Sequence, residues 1–227
     1  MDKQKVGAVI VAAGESQRMG GVDKVMVLLG GKPVLARTVD VFQNCSSIDQ
    51  IVIVLSEQNL EAGRRLVAGE GWTKVTDVCP GGQRRQDSVV AGLSRLKDCH
   101  WVVIHDGVRP LLTEDLISRG LTEAEETGAA VAAVPVTETI KVAGGDRIVH
   151  QTPPRQNLWA VQTPQVFGYH IIAEAYRKAK GEATDDASLV EQLGYKVKLY
   201  MGAYDNIKIT TPDDLVLAEV LWHKRGK

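Results

Sequence analysis

Apolar β-strands that alternate with helix-like segments most constrain what this chain can fold into. Val6–Ala12 is an uninterrupted apolar run, and further strand-like segments recur at 51–55, 101–105 and 128–136, with a shorter and more polar one at 74–78. Between these runs, apolar residues recur at helical spacing. Strands that are apolar on both faces are typical of a parallel sheet that is covered by helices on both sides. The alternation therefore predicts an α/β fold with a Rossmann-like, mostly parallel sheet.

The alternation breaks at about residues 135–165. In this segment short polar–apolar stretches surround a Gly-Gly-Asp turn at 144–146, and two prolines follow. This pattern predicts a β-hairpin that leaves the main sheet. Helix-like and strand-like segments resume afterwards, with no internal repeat and no linker. The sequence therefore predicts a single domain over residues 1–227 with a protruding arm at about 135–165.

Charge and cysteine usage exclude several classes of protein. Lysine and arginine total 27 against 28 acidic residues, so no net field favours nucleic acid or an anionic membrane. No apolar stretch reaches 18 residues, and the first apolar run enters a glycine turn rather than a cleavage site. Cys45, Cys79 and Cys99 are far apart in sequence, which is typical of reduced thiols rather than metal ligands. We therefore expect a cytoplasmic protein.

The loop after the first strand, AAGESQRMGGVDK, is the first candidate for a ligand site. Gly14 lets the backbone approach a ligand, and the loop amides can hold phosphate oxygens. Two common phosphate motifs do not fit, because Ser16 replaces the second glycine of G-x-G-x-x-G and Asp23 precedes Lys24 where a P-loop has glycine. The loop instead carries two cations, Arg18 and Lys24. The alternative is a solvated surface loop.

Two further loops follow predicted secondary structure in the same way. In CPGGQRRQDSVVAGL (79–93), the glycine turn beside Ser88 can read the polar edge of a nucleobase, or Asp87 or Ser88 simply caps the next helix. In HDGVRP (105–110), Asp106 can face a metal-bound triphosphate or a ribose, and Arg109 can hold a second anion. The alternative is an ion pair that closes the loop. We interpret His105 as a strand-end residue and not a catalytic base.

Lys208 lies in DNIKIT between two isoleucines, so alternation directs its ammonium group towards a polar site or solvent. No arrangement of residues in the sequence suggests a Ser-His-Asp or Cys-His catalytic set, and the histidines lack metal-ligand spacing. A pattern rich in cations and poor in bases suits phosphoryl or nucleotidyl transfer to an ionised nucleophile, where positioning and charge stabilisation dominate catalysis.

Taken together, these motifs resemble a known family. The first loop is shared across the nucleoside triphosphate sugar nucleotidyltransferases. The later motifs, GGQRRQDSVVAGL, HDGVRP, PVTETIK, R-x-x-LW-x-x-QTPQ, TDDASLVE and DNIKIT, occur in the order seen in the 2-C-methyl-D-erythritol 4-phosphate cytidylyltransferases. The similarity covers roughly residues 5–222. The resemblance implies conversion of CTP and 2-C-methyl-D-erythritol 4-phosphate to the CDP-linked alcohol and pyrophosphate, a step of non-mevalonate isoprenoid biosynthesis.

The resemblance also implies roles for individual residues. Two residues would stabilise the α-phosphate: Arg18 and Lys24. The cytosine and ribose would be received by Ala12, Ala13, Gly14, Gly82, Gln83 and Ser88, with Asp106 beside them. The sugar-phosphate side would hold Asp106 and Arg109, while Thr139, Arg155 and Lys208 position the methylerythritol phosphate. Mg²⁺ would bind mainly through the CTP phosphates, with Asp106 the only candidate for a direct protein contact. A homodimer formed through the arm would bring Thr139 and Arg155 into the neighbour's pocket.

Two departures from the family pattern and two rival functions remain. The family usually has proline where this chain has Asp23, and alanine where it has Gly107, which would alter the first loop and make the later one more flexible. A CDP-ribitol-forming relative shares the HD-x-x-RP and NIKIT-like motifs, but TDDAS and the AAG opening favour the methylerythritol enzyme. A non-catalytic nucleotide-binding regulator is disfavoured by the retained α-phosphate stabilisers.

Overall fold

The computed structural model describes residues 4–14, 23–179 and 181–226. Its strands are β1 (Val6–Ala12), β2 (Leu28–Leu29), β3 (Lys32–Pro33), β4 (Gln50–Leu55), β5 (Val75–Pro80), β6 (Trp101–Asp106), β7 (Ala129–Pro135), β8 (Val142–Ala143), β9 (Val149–Gln151), β10 (Trp159–Gly168) and β11 (Lys198–Met201). Its α-helices are α1 (Val34–Asn44), α2 (Leu60–Glu70), α3 (Arg85–Leu93), α4 (Glu114–Thr127), α5 (Tyr169–Lys178), α6 (Asp186–Gln192) and α7 (Pro212–Lys224).

One mixed sheet organises the described chain, with strand order β11-β7-β10-β6-β1-β4-β5. Strand β1 pairs in parallel with both β4 and β6, and β10 is the antiparallel strand between β6 and β7. The chain builds outwards in one direction from β1 and then crosses back to β6, so the strand order reverses between these two strands. Ligands bind α/β sheets at the carboxyl ends of the strands beside such a reversal. The predicted mostly parallel α/β fold is confirmed.

The sheet is buried on both faces because its central strands are apolar throughout. In β1, Ala8 and Ile10 pack into one hydrophobic cluster, which also includes residues of α1, α4 and α7. Val9 and Val11 point the other way, into a cluster that includes residues of α3, α5 and α6. The two clusters fix the register of β1, because a slip by one residue would exchange its two faces.

Strand β10 differs from the sequence-based expectation. The segment at 135–165 was expected to leave the main sheet, but Trp159–Gly168 returns to it and pairs with β7 and then β6. Only the chain from 136 to 158 lies outside the sheet. The strand was missed because Pro164 lies inside it, and proline is unusual in a central strand. Its first three residues are also exposed, which weakens the apolar pattern.

The expected hairpin is present in the arm. Strands β8 and β9 pair antiparallel around the Gly-Gly-Asp turn, where the amide of Arg147 donates to the carbonyl oxygen of Gly144 at 3.0 Å. All residues of both strands are exposed to solvent. Among the helices of the described ranges, none combines the length and apolar character needed to cross a lipid bilayer.

Candidate active site

Two adjoining clefts open at the carboxyl edge of the sheet, where the strand order reverses. The larger has a volume of about 900 Å³, and the smaller about 580 Å³. Three residues line both clefts: Arg85, Asp106 and Lys208. Two ligands that occupied the two clefts would therefore meet at this charged junction.

The larger cleft collects most of the residues expected to bind the nucleotide. Its lining includes Ala12, Ala13, Gly14, Lys24, Gly82, Gln83, Ser88, Asp106 and Lys208. The first loop and the glycine turn touch, since a Cβ on Gly81 would lie 2.4 Å from the Cβ of Ala13. Glycine is thus required at residue 81 for close packing of the two loops. The result is a cleft with backbone on two sides.

The glycine turn is fixed by the first turn of α3. The Ser88 hydroxyl accepts a hydrogen bond from the Gly82 amide and donates one to the carbonyl oxygen of Arg84, both at 3.2 Å. The Asp87 carboxylate accepts a hydrogen bond from the Arg84 amide at 3.1 Å. Asp87 therefore caps α3, which was the alternative to nucleobase recognition for this segment. Capping and cleft formation are therefore performed by the same segment.

Asp23, which replaces the usual proline, anchors the loop around Lys24. Its carboxylate accepts hydrogen bonds from the Val25 amide at 2.9 Å and from the Asn59 side chain at 2.6 Å. Its carbonyl oxygen accepts from the Val27 amide at 2.9 Å. These bonds tie the loop to the segment after β4. Lys24 thus extends from an anchored turn into the larger cleft.

Asp106 is the buried anion at the junction of the clefts, and three cations surround it. Lys208 Nζ lies 2.9 Å from its carboxylate, Arg85 Nε 3.5 Å and Arg109 Nε 3.6 Å. Burial raises the pKa of this carboxyl group, but the opposing effects of the three cations are larger together and hold the pKa well below its usual range. Asp106 is therefore ionised at neutral pH.

Arg109 and Lys208 reach Asp106 from different segments. Arg109 Nη1 donates to the carbonyl oxygen of Asn206 at 2.7 Å, so this arginine both closes its own loop and ties it to DNIKIT. DNIKIT forms no strand: it begins in a turn at Asp205 and continues without regular secondary structure. The expected alternation still holds, because Ile209 is fully buried while Lys208 is exposed over 42% of its side chain. Lys208 can thus contact both Asp106 and a ligand.

His105 is fully buried at the end of β6, which confirms its interpretation as a strand-end residue. Its Nε2 lies 3.2 Å from the carbonyl oxygen of Arg109, and its ring packs against Phe42. Burial lowers the pKa of His105 to about 3, although the neighbouring Asp106 carboxylate opposes this effect. The imidazole is therefore neutral at neutral pH, and its contacts are with the Arg109 carbonyl oxygen and Phe42.

Lowering the pH should destabilise the fold through His105. The unfolded pKa is about 6.5 and the folded pKa about 3, so between these values the unfolded chain binds more protons than the folded chain. Stability is therefore highest above the unfolded pKa and falls with pH by up to about 1.4 kcal/mol per pH unit. Urea unfolding across this window should give a flatter pH dependence for His105→Gln, which keeps a donor for the Arg109 carbonyl. Equal slopes would contradict the prediction.

Gly107, the second departure, is held more tightly than the sequence suggested. Its amide donates a hydrogen bond to the carbonyl oxygen of Val11 at 2.8 Å, and its own carbonyl oxygen accepts one from the Thr38 hydroxyl at 3.0 Å. A Cβ at this position would lie 2.8 Å from the Cβ of Ala12. The glycine therefore allows β6 and β1 to end in close contact, a different physical role from the flexibility expected.

Two predicted site residues, Thr139 and Arg155, do not line the clefts of their own chain. Both are exposed on the arm, where Arg155 Nη1 donates to the carbonyl oxygen of Thr137 at 2.6 Å. Arg18 lies outside the described residues.

Sequence reasoning missed two residues that organise the junction. Arg85 donates to both carboxylate oxygens of Asp186, at 2.9 and 2.8 Å, and Asp186 is fully buried. Both residues occur in motifs that were singled out, GGQRRQDSVVAGL and TDDASLVE. Their pairing was not predictable, because 101 residues separate them and no local pattern signals a contact.

The residues at the junction are better suited to a metal ion that is coordinated by the phosphates of a ligand than to one that is coordinated by protein side chains alone. Among the described residues, no group of three or more histidine, cysteine or acidic side chains could hold a metal. Asp106, the one candidate, already has its carboxylate compensated by three cations. This donor set leaves the larger share of any divalent coordination to ligand oxygens.

The arrangement is that of a nucleotidyltransferase: a backbone-lined cleft beside a reversal in strand order, opening through a cation cluster into a second cleft. A sequence profile described as IspD, 2-C-methyl-D-erythritol 4-phosphate cytidylyltransferase, matches residues 6–224. The chain therefore belongs to the 2-C-methyl-D-erythritol 4-phosphate cytidylyltransferase family, and the resemblance in its motifs is confirmed.

Individual relatives agree with this assignment. The chain is 54% identical to the 2-C-methyl-D-erythritol 4-phosphate cytidylyltransferase of Dehalococcoides mccartyi strain 195, over 97% of both chains. It is 43% identical to that of Alkaliphilus oremlandii, over 97% of this chain and 96% of the other. The solved 4-diphosphocytidyl-2C-methyl-D-erythritol synthase of Anaerococcus prevotii superposes with a TM-score of 0.87 at 30% identity, over 97% of this chain and 96% of that one.

Proposed function

We propose that this chain transfers a cytidylyl group from CTP to 2-C-methyl-D-erythritol 4-phosphate, giving 4-diphosphocytidyl-2-C-methyl-D-erythritol and pyrophosphate. The observation that carries the proposal is the meeting of two clefts at Arg85, Asp106 and Lys208. The backbone-lined cleft suits the nucleotide, and the smaller cleft suits the sugar-alcohol phosphate. The reaction is a step of isoprenoid biosynthesis, and we place it in the cytoplasm.

The chemistry requires no base from the protein. A phosphate oxygen of the methylerythritol phosphate, already ionised at neutral pH, attacks the α-phosphorus of CTP. The bond from the α-phosphorus to the bridging oxygen breaks, and pyrophosphate leaves with the electron pair. Lys24 and Arg18 stabilise the charge that grows at the α-phosphate, and Lys208 orients the attacking phosphate. The neutral, buried His105 takes no part in proton transfer.

Mg²⁺ is the cofactor in this proposal, bound mainly through the CTP phosphates. It supplies charge neutralisation at the phosphate oxygens when bound. Asp106 is the candidate for any direct contact from the protein, although its three cationic neighbours make it a weak ligand. The cation cluster itself selects for anionic groups at the junction.

The smaller cleft is completed, in our proposal, by the arm of a second copy in a homodimer. The arm and the neighbouring strands expose several apolar side chains: Ile140, Val142, Ile148, Val149, Trp159, Val161, Leu199 and Met201. A two-stranded hairpin without a partner is only marginally stable in water. A two-fold interface through the arm would cover these side chains and bring Thr139 and Arg155 to the partner's cleft.

Pyrophosphate release tests the reaction. With CTP, Mg²⁺ and 2-C-methyl-D-erythritol 4-phosphate, the chain should release pyrophosphate, and chelation of the metal should abolish the release. Ribitol 5-phosphate should be a much poorer acceptor. Equal or faster turnover of ribitol 5-phosphate would transfer the assignment to CDP-ribitol formation.

A further inference from the structure

Arg85 contacts both carboxylates at the junction, Asp106 and Asp186. Its side chain is 30% exposed and lines both clefts, so most of it is buried at their junction. Asp186 is fully buried and also accepts a hydrogen bond from the Tyr176 hydroxyl. The two terminal nitrogens of the planar guanidinium donate hydrogen bonds to Asp186, and its Nε faces Asp106 Oδ1 at 3.5 Å.

The two oxygens of Asp106 have different partners. Oδ1 faces Arg85, whereas Oδ2 faces Lys208 at 2.9 Å and Arg109 at 3.6 Å. Arg85 thereby fixes the plane of the carboxylate. Without it, Oδ1 loses its cationic partner, the carboxylate can rotate, and only Lys208 and Arg109, both on Oδ2, remain to compensate Asp106.

From this geometry we propose that Arg85, anchored by Asp186, is a positioning residue for nucleotidyl transfer: it holds the Asp106 carboxylate so that Lys208 faces the second phosphate substrate. The inference rests on the proposed function and adds to it. Arg85 follows the glycine turn and Asp186 belongs to α6, so the pair also fixes α6 to the nucleotide side of the junction.

A simpler alternative is that Arg85 and Asp186 act only through their charges. The five junction side chains, Arg85, Arg109, Lys208, Asp106 and Asp186, then carry a net charge of +1. Removing Arg85 would make the junction less attractive to anions, and removing the charge of Asp186 would make it more attractive. The two explanations therefore predict opposite changes in the KM for methylerythritol phosphate in Asp186→Asn: an increase if Arg85 acts by positioning and a decrease if it acts by charge alone.

The experiment compares steady-state kinetics of Arg85→Gln, Asp186→Asn, the double variant and Arg85→Lys. Arg95→Gln is the matched control, because Arg95 is half-exposed, pairs with Asp77 and lines neither cleft. If Arg85 positions Asp106, both single variants should lower kcat by about tenfold to a hundredfold. Both should also raise the KM for methylerythritol phosphate, with the KM for CTP changing less.

Two variants separate positioning from charge and from folding. The double variant leaves no unpaired buried charge, and positioning predicts that it is no worse than the worse single variant, since both act on one unit. Arg85→Lys keeps the charge, but one ammonium cannot span both carboxylates, so it should remain impaired. Thermal unfolding identifies any variant that fails to fold, and the kinetics of the folded variants then distinguish positioning from charge alone.

Each outcome has a defined meaning. A lower KM for Asp186→Asn, or wild-type kinetics for Arg85→Lys, would overturn positioning in favour of charge alone. Folded variants with unchanged kcat and KM would make the pair purely structural. A wild-type chain that released no pyrophosphate would overturn the proposed function, and this inference with it. Parallel losses in both single variants, with Arg95→Gln unaffected, would support it.

Discussion

Lys24→Ala should lower kcat by about a hundredfold while changing the KM for CTP much less. Lys24 extends into the larger cleft, and its Nζ lies 3.8 Å from the position that a Cβ on Gly14 would occupy. In the proposed reaction, a cation there meets charge that increases as the α-phosphate becomes pentacoordinate, so we expect it to stabilise the transition state more than the ground state. Losing one such donor typically costs about 3 kcal/mol of activation free energy.

The measurement is steady-state kinetics with saturating methylerythritol phosphate, which separates kcat from KM. Lys178→Ala is the matched control, since it also removes one ammonium group but pairs with Glu174 on α5, away from both clefts. The control should behave as wild type. An increase in KM alone would mean that Lys24 only holds the ground-state triphosphate.

Much of the fold followed from the sequence because local patterns and tertiary structure agree. Continuous apolar runs correctly predicted the central parallel strands, since burial on both faces requires apolar residues at every position. The prediction was wrong where β10 enters between β6 and β7. Its placement depends on long-range pairing, and neither Pro164 nor its exposed first residues indicates a central strand.

The candidate site was predictable to the extent that its residues follow strands. Gly14 and Lys24 lie in the first loop, Ser88 in the first turn of α3 and Asp106 at the end of β6. All four are at the carboxyl edge of the sheet, and the fold necessarily brings that edge together. The anchoring residues were not predictable in this way. Asp186 is the first residue of α6, and nothing in its local sequence indicates a buried partner. Its pairing with Arg85 depends on where the folded chain places the start of α6 relative to α3, which is a property of the tertiary structure.

Thr139 and Arg155 were predicted to lie in the site, but the structure of one chain places them away from it. Both residues are exposed on the arm and line neither cleft of their own chain. Either they have no role in the site or they serve the cleft of a second copy. The exposed apolar side chains along the arm favour the second explanation, because large exposed apolar patches commonly mark interfaces. A monomer by light scattering would exclude it.

Mixing two inactive variants should restore activity if the site is shared. In a heterodimer of Lys24→Ala and Arg155→Ala chains, one pocket carries both substitutions and the other carries neither. With random exchange, half of the dimers are heterodimers, so activity should recover to about a quarter of the wild-type level. Arg147→Gln, at the tip of the same hairpin, controls for charge loss in the arm and should be active alone. If each chain used its own Arg155, every pocket would keep one substitution and the mixture would stay inactive.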